Sequence, residues 1–185
     1  MDRDLVVRAR DGDHDAFSML AAASIGRLNG LARLIVHDHL LAEDAVQDAL
    51  VAAWRDLRGL RDPDRFDAWL NRLLVRACQN ASKRDWRRRI VELPLGPTDG
   101  QAMSDGQAAL AIADELERGL RHLTLDQRTV LVLIYYLDLP LAEAAATLGI
   151  PVGTMKSRLN RAISALRASI EADARPTTLT PERLA

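Results

Sequence analysis

The sequence predicts an all-α protein made of two small helical bodies. Leu and Ala recur throughout while Phe, Trp and Tyr make up only 4% of the chain. These residues lose little rotamer freedom in a helix, which favours helix over strand. Apolar residues return at helical spacing, and no alternating pattern is long enough to compete. One Pro- and Gly-rich stretch interrupts that spacing near the middle. With 185 residues, 48% of them hydrophobic, the chain can hold one ordinary domain or two small ones.

The first body is expected over residues 1–89 as a four-helix bundle. A short helix around Leu5–Arg10 is separated by Gly12-Asp13 from a longer one, about Ala16 to Val36. Val46, Leu50, Ala53, Trp54 and Leu57 define a third amphipathic helix. Phe66, Trp69, Leu70, Leu73, Leu74 and Ala77 define a fourth. Asp62-Pro63-Asp64 punctuates the turn between them, with Asp64 as candidate cap. Trp54 and Trp69 fall within or beside the apolar stripes and read as core. Residues 90–106, with two prolines and three glycines from Ile90 to Gly106, read as a flexible linker.

The second body is expected over 107–171. Ile112, Leu116, Leu120 and Leu123 make one stripe; Val130, Leu133, Ile134 and Leu137 make another behind a Thr124 cap. A helix from Leu141 to Leu148 ends at Gly149, and another runs from Thr154 to about Ile170. The remaining 172–185, with Pro176 and Pro181, read as a frayed tail.

Composition excludes several classes of function. The lone Cys78 forbids an internal disulfide, and no Cys/His cluster has zinc spacing, so neither a metal nor another cofactor is expected. A reducing cytoplasm fits. The start Met1-Asp2-Arg3-Asp4 has no apolar h-region behind it, so no signal peptide is expected, and no apolar run is expected to reach membrane-spanning length. His14, His37, His39 and His122 are scattered and carry no assigned chemistry. No nucleophile–base pair emerges, so an enzyme is not expected. The string Gly153-Thr-Met-Lys-Ser is not a phosphate loop, because its lysine does not directly follow the glycine and no strand precedes it.

Net charge is −1, but its distribution is uneven. Residues 1–60 carry ten acids against seven bases, whereas 71–89 carry seven bases against Asp85 alone. A second stretch, 144–170, has no acid and holds Lys156, Arg158, Arg161 and Arg167. Two basic zones in a near-neutral chain point to two contacts with a polyanion.

The second zone coincides with a helix-turn-helix layout. Ala145 is small where two helices cross, Gly149 falls at the turn, and Ile150 and Met155 are apolar plugs. Met155, Leu159, Ala162 and Leu166 share one side of the last helix. Thr154, Lys156, Ser157, Arg158, Asn160 and Arg161 are thereby offered to base edges and phosphates. In the first zone Arg65, Arg72, Arg76 and Lys83 are spaced seven, four and seven residues apart along one flank, with Asn80 among them. The row runs on into Arg84, Trp86, Arg87 and Arg88, cations around an aromatic ring suited to a single strand. Helix-dipole capping alone needs fewer cations.

The run Ala42-Glu-Asp-Ala-Val-Gln-Asp-Ala-Leu-Val-Ala-Ala-Trp54 resembles region 2.2 of the extracytoplasmic-function (group IV) sigma factors of the sigma-70 family. Phe66-Asp-Ala-Trp-Leu70 resembles their region 2.3, and Gly153-Thr-Met-Lys-Ser-Arg-Leu-Asn-Arg-Ala162 their region 4.2. The resemblance covers both bodies in the family's order. It implies a subunit that gives core RNA polymerase its promoter specificity. Region 2.2 would dock on the clamp helices of the β′ subunit through Asp44, Gln47, Asp48, Val51 and Arg55. Region 2 would open and read the minus-ten element, region 4 would read the minus-thirty-five element, and the β flap and an anti-sigma factor would be further partners. The loop Arg58–Arg65, where base capture should occur, departs from any assignable pocket pattern. The residues taken alone also admit a conventional helix-turn-helix regulator of duplex operators, or an adaptor that uses its helices only for protein contacts.

Overall fold

The computed structural model describes residues 2–91 and 118–173, apart from the side chains of 88–91 and 173. Among the described residues there is no strand. The first body consists of α1 (Arg3–Arg10), α2 (His14–Val36), α3 (His39–Asp56) and α4 (Phe66–Val91). The second holds a helix end at 118–121, then α5 (Leu125–Leu131), α6 (Leu141–Leu148) and α7 (Val152–Asp173). A π-helical turn, Val132–Tyr136, prolongs α5. Helix α4 thus passes the boundary expected at residue 89. The rest of the linker, Ile112, Leu116 and the tail beyond Asp173 lie outside the described residues.

Aspartates start the first three helices. Asp2, Asp13 and Asp38 each accept a backbone N–H of the following first turn, satisfying a donor that the helix leaves orphaned. Asp13 also receives Arg8 at 2.6 Å. The Ala16 N–H first, and then the Arg8 guanidinium, hold its carboxyl below the ordinary carboxylate range. At the α3–α4 connection the cap is Asp62, not the expected Asp64: Asp62 Oδ1 accepts from the Asp64 N–H at 3.1 Å. Pro63 occupies the first position of a 3-10 turn, Pro63–Arg65, so the capping residue must precede it.

The apolar length of α2 also corrects an expectation. Over its 23 residues it is long and apolar enough to cross a membrane by length and composition. Part of its apolar content packs inside the bundle, where Leu20, Leu28, Leu31 and Ile35 are fully buried, while Met19 and Ile25 remain exposed. Small residues of α3, Ala42, Ala45, Ala49 and Ala53, let it lie close against α4, which contributes Phe66, Leu70, Leu74 and Cys78. Each fully buried large apolar side chain contributes roughly 1.5–3 kcal/mol relative to exposure.

The two bodies are docked on one another. A continuous buried cluster runs from this bundle into Val130, Val132, Leu133, Ala144, Ala145 and Met155 of the second body. A second cluster of Leu120, Leu123, Leu131 and Ala162 is reached from α2 by Leu34. Between them lies Arg128, 9% exposed. Its Nε donates to the Ile35 carbonyl at 2.7 Å and its Nη1 to the Leu123 carbonyl at 2.5 Å. Both carbonyls belong to chain just at or beyond a helix C-terminus, where the backbone is electronegative, so carbonyl dipoles replace part of the hydration the buried cation gives up. Burial still pushes the guanidinium pKa down. Separately tethered bodies were expected from the chain; the interface is invisible there because its contacts join residues about 90 positions apart, 93 for Arg128 and Ile35.

Candidate nucleic-acid and polymerase interfaces

The helix-turn-helix is formed by α6 and α7. Gly149 takes a left-handed conformation, φ 65°. The Ile150 N–H reaches the Ala145 carbonyl at 3.1 Å and the Gly149 N–H reaches Ala146 at 3.2 Å. These crossed bonds close the end of α6 and redirect the chain at once into α7. Ala145 and Met155 are buried at the crossing with Ile150 and Leu159 packed partly against them, and Leu166 packs against the neighbouring cluster of Leu120, Leu123, Leu131 and Ala162. The opposite side of α7 exposes Lys156, Ser157, Asn160 and Arg161. Arg161 Nε donates to the Ser157 carbonyl at 3.3 Å, which lays its side chain along the helix.

Two of the expected contact residues on α7 are less free. Thr154 is half-buried, and Arg158 Nη1 lies 3.2 Å from Asp126 Oδ2. Asp126 sits in the first turn of α5, behind the Thr124 cap and its reciprocal Gln127 partner. The Arg158–Asp126 pair therefore fixes α7 against α5 as well as leaving a guanidinium at the rim. Thr124, Asp126, Gln127, Arg158 and Arg161 line a shallow cleft there.

Along the first body, Arg76, Asn80, Lys83, Arg84 and Arg87 are exposed and Arg72 is half-buried. Arg65 is exposed too, but on the 3-10 turn before α4 and facing Asp62 at 3.9 Å. Trp86 is 65% exposed, an unusual cost for so large a ring. The Arg88 side chain lies outside the described residues. Trp54 is half-buried, its ring 4.4 Å from that of His14 and 5.0 Å from that of Phe17. Trp69 is likewise half-buried, beside Phe66.

Sequence reasoning missed Arg27. From α2 it reaches Asp67 at 2.8 Å and Asn71 at 2.6 Å, fixing the first turns of α4 from which the basic row departs. No local signal announces a pair 40 residues apart.

On α3, Asp44, Gln47, Asp48, Val51 and Arg55 all face solvent, Val51 at 67%. Leu40, also missed, is 74% exposed and eleven residues before Val51, so it extends the same face toward the helix start. Asp48 is not free: Arg84 Nη2 of α4 contacts its Oδ2 at 2.6 Å.

A helix-turn-helix whose outer face from Lys156 to Arg167 carries no acid, beside a bundle with a basic row and an exposed aromatic ring, defines an all-helical DNA-binding protein. Comparison with known proteins makes the class specific. Residues 20–88 match the family model for sigma-70 region 2, and residues 113–166 match that for sigma-70 region 4. The chain is 33% identical to the ECF RNA polymerase sigma factor SigM of Mycobacterium tuberculosis over 87% of its own length and 80% of that protein's. It is 32% identical to the sigma factor CnrH of Cupriavidus metallidurans over 93% and 95% of the two chains. Among solved structures it resembles the sigma factor RpoE of Bartonella quintana, crystallised with the anti-sigma factor NepR. That likeness has a TM-score of 0.71 at 25% identity, over 85% of this chain and 98% of that one. The chain belongs to the extracytoplasmic-function sigma factors of the sigma-70 family, and is an RNA polymerase sigma factor acting in transcription initiation.

Proposed function

We propose that the chain docks on core RNA polymerase through the exposed face of α3 and directs it to promoters with two DNA surfaces. The outer face of α7 enters the major groove of the minus-thirty-five element, with Arg161, Asn160, Ser157 and Lys156 as its contacts and Arg158 shared with Asp126. The row from Arg65 and Arg72 to Arg87, with Trp86, follows the opened strand of the minus-ten element; Arg88 extends it by sequence. The observation that carries this reading is the outer face of α7 from Lys156 to Arg167, which holds cations and no acid and is kept outward by Met155 and Ala162 at 0% exposure. Stacking and phosphate contacts offset the cost of unpairing bases, so opening needs no covalent chemistry from this chain. It is a cytoplasmic partner of polymerase rather than an enzyme.

The docked arrangement must open for this role. Elements named minus-ten and minus-thirty-five lie about 25 base pairs apart, roughly 85 Å along a duplex at 3.4 Å per base pair. A compact body the size of the described residues spans only about 40 Å. Reading both elements at once therefore requires the two bodies to part when polymerase and promoter engage. An anti-sigma factor is a natural antagonist: the relative RpoE is held by one, and a partner that covers α3 or bridges the bodies would keep this chain from polymerase.

The test is association with purified core polymerase and with promoter DNA, measured separately. Asp48→Arg is expected to impair docking on core, and Arg161→Ala to weaken upstream recognition while core docking persists. Duplex operator binding by the chain alone as a dimer, with no association with core, would instead establish a conventional regulator.

A further inference from the structure

We infer that Arg84 is a built-in stand-in for a cation that polymerase brings to Asp48, so that docking on α3 releases Arg84 to the DNA. The inference rests on the reading proposed above for α3 and α4.

Asp48 is central to the exposed row Asp44, Asp48, Val51, Arg55, whose spacings of four, three and four residues keep it on one side of α3. The cation that occupies it comes from another helix and another surface. Arg84 lies 36 residues further on, next to Lys83 and two residues before the exposed Trp86. Its 2.6 Å contact with Asp48 therefore joins a face assigned to protein and a face assigned to nucleic acid. Both side chains are about half exposed, 56% for Arg84 and 47% for Asp48, so the pair can be exchanged without opening any core.

A basic side chain on the docking partner competes directly with Arg84 for the same carboxylate. Once displaced, Arg84 adds one cation to the row that follows the phosphates. Until then the isolated chain is one cation short on that row. Coupling of this kind is reciprocal: whatever removes Arg84 from Asp48 strengthens both partners' binding by the same factor. An exposed ion pair limits that factor to about two- to fivefold.

The experiment uses the full chain and a short fluorescent oligothymidine at low salt. Asp48→Asn is expected to tighten binding about two- to fivefold, with a salt dependence steeper by about 0.7 for one further phosphate neutralised. Asp44→Asn removes the same charge one turn away and is expected to do less. In an Arg84→Gln background, Asp48→Asn should give no gain. Conversely, Arg84→Gln should tighten association with core polymerase by the same factor. A gain equal in Asp44→Asn, or one that survives Arg84→Gln, would overturn the exchange and leave only general electrostatics. A loss of binding in Asp48→Asn would overturn it in favour of a pair that merely staples α4 to α3. Binding of the oligonucleotide by none of these proteins would sink the DNA reading of α4 and the exchange together; absence of core association in wild type would sink the reading of α3, and the exchange with it, and leave the DNA reading of α4 standing.

Discussion

The side chain of Arg128, in the second body, donates to the carbonyl of Ile35, in the first, across 2.7 Å of buried interface. The same guanidinium holds the Leu123 carbonyl, so one cation bonds to the ends of two helices that belong to different bodies. Hydrogen bonds from a charged donor contribute about 1.5–3 kcal/mol each way they are tested, and the acceptors left behind are buried. Arg128→Met, which keeps much of the volume, is therefore expected to cost about 2–3 kcal/mol in denaturant unfolding. It is also expected to raise the radius of gyration in small-angle scattering as the bodies part. Leu34→Glu attacks the same interface from α2 and leaves the second body's own bonds intact. An unchanged radius in both variants would show that the docking does not depend on these contacts.

Gly149 is the backbone position on which the recognition motif turns. No atom lies within 4 Å of a Cβ built there, so a substitution meets only backbone strain, not crowding. Gly149→Val is expected to cost about 1–2 kcal/mol, because a β-branched residue at positive φ is strained, whereas Gly149→Asn should cost a few tenths. Thermal melts of the two variants check the difference. Equal stability would mean that the turn relaxes to another conformation.

Cys78 is fully buried between α4 and its neighbours, and that desolvation pushes its thiol pKa up to about 12. The thiol is the nucleophile only as thiolate, so the native protein at neutral pH is expected to react with a thiol reagent no faster than it unfolds. The sign of the linkage follows. The unfolded thiol ionises near pH 8.5, so the contribution of the protonated native thiol is full below that pH. It is lost as pH rises toward the folded value. Rapid labelling of native protein at neutral pH would contradict the burial.

Helix type and helix-turn-helix were legible in the chain because their signals are local. The Thr124 cap, the Gly149 stop and the 3.6-residue stripe of Met155, Leu159, Ala162 and Leu166 each lie within one or two turns. The π-helical turn after α5 was not, and it leaves Tyr135 and Tyr136 exposed at 67% and 54% where an ordinary helix end was expected. The cap before α4 was misplaced by two residues because Pro63 shifts the start of the turn. The face assigned on α4 came from periodicity and that on α3 from the family resemblance, yet neither could supply the contacts across faces. Asp48 with Arg84, Arg27 with Asp67, and Arg128 with Ile35 are each products of tertiary packing between distant segments.

The central claim is that this chain gives polymerase its promoter, with α3 gripping the enzyme and α7 and α4 reading DNA. Run-off transcription with purified core polymerase on promoter fragments from the same genome measures it most directly. Addition of the chain is expected to produce a discrete transcript that core alone does not make, lost on Asp48→Arg and weakened on Arg161→Ala. A transcript pattern unaltered by the wild-type chain, under conditions where it remains folded, would contradict the account.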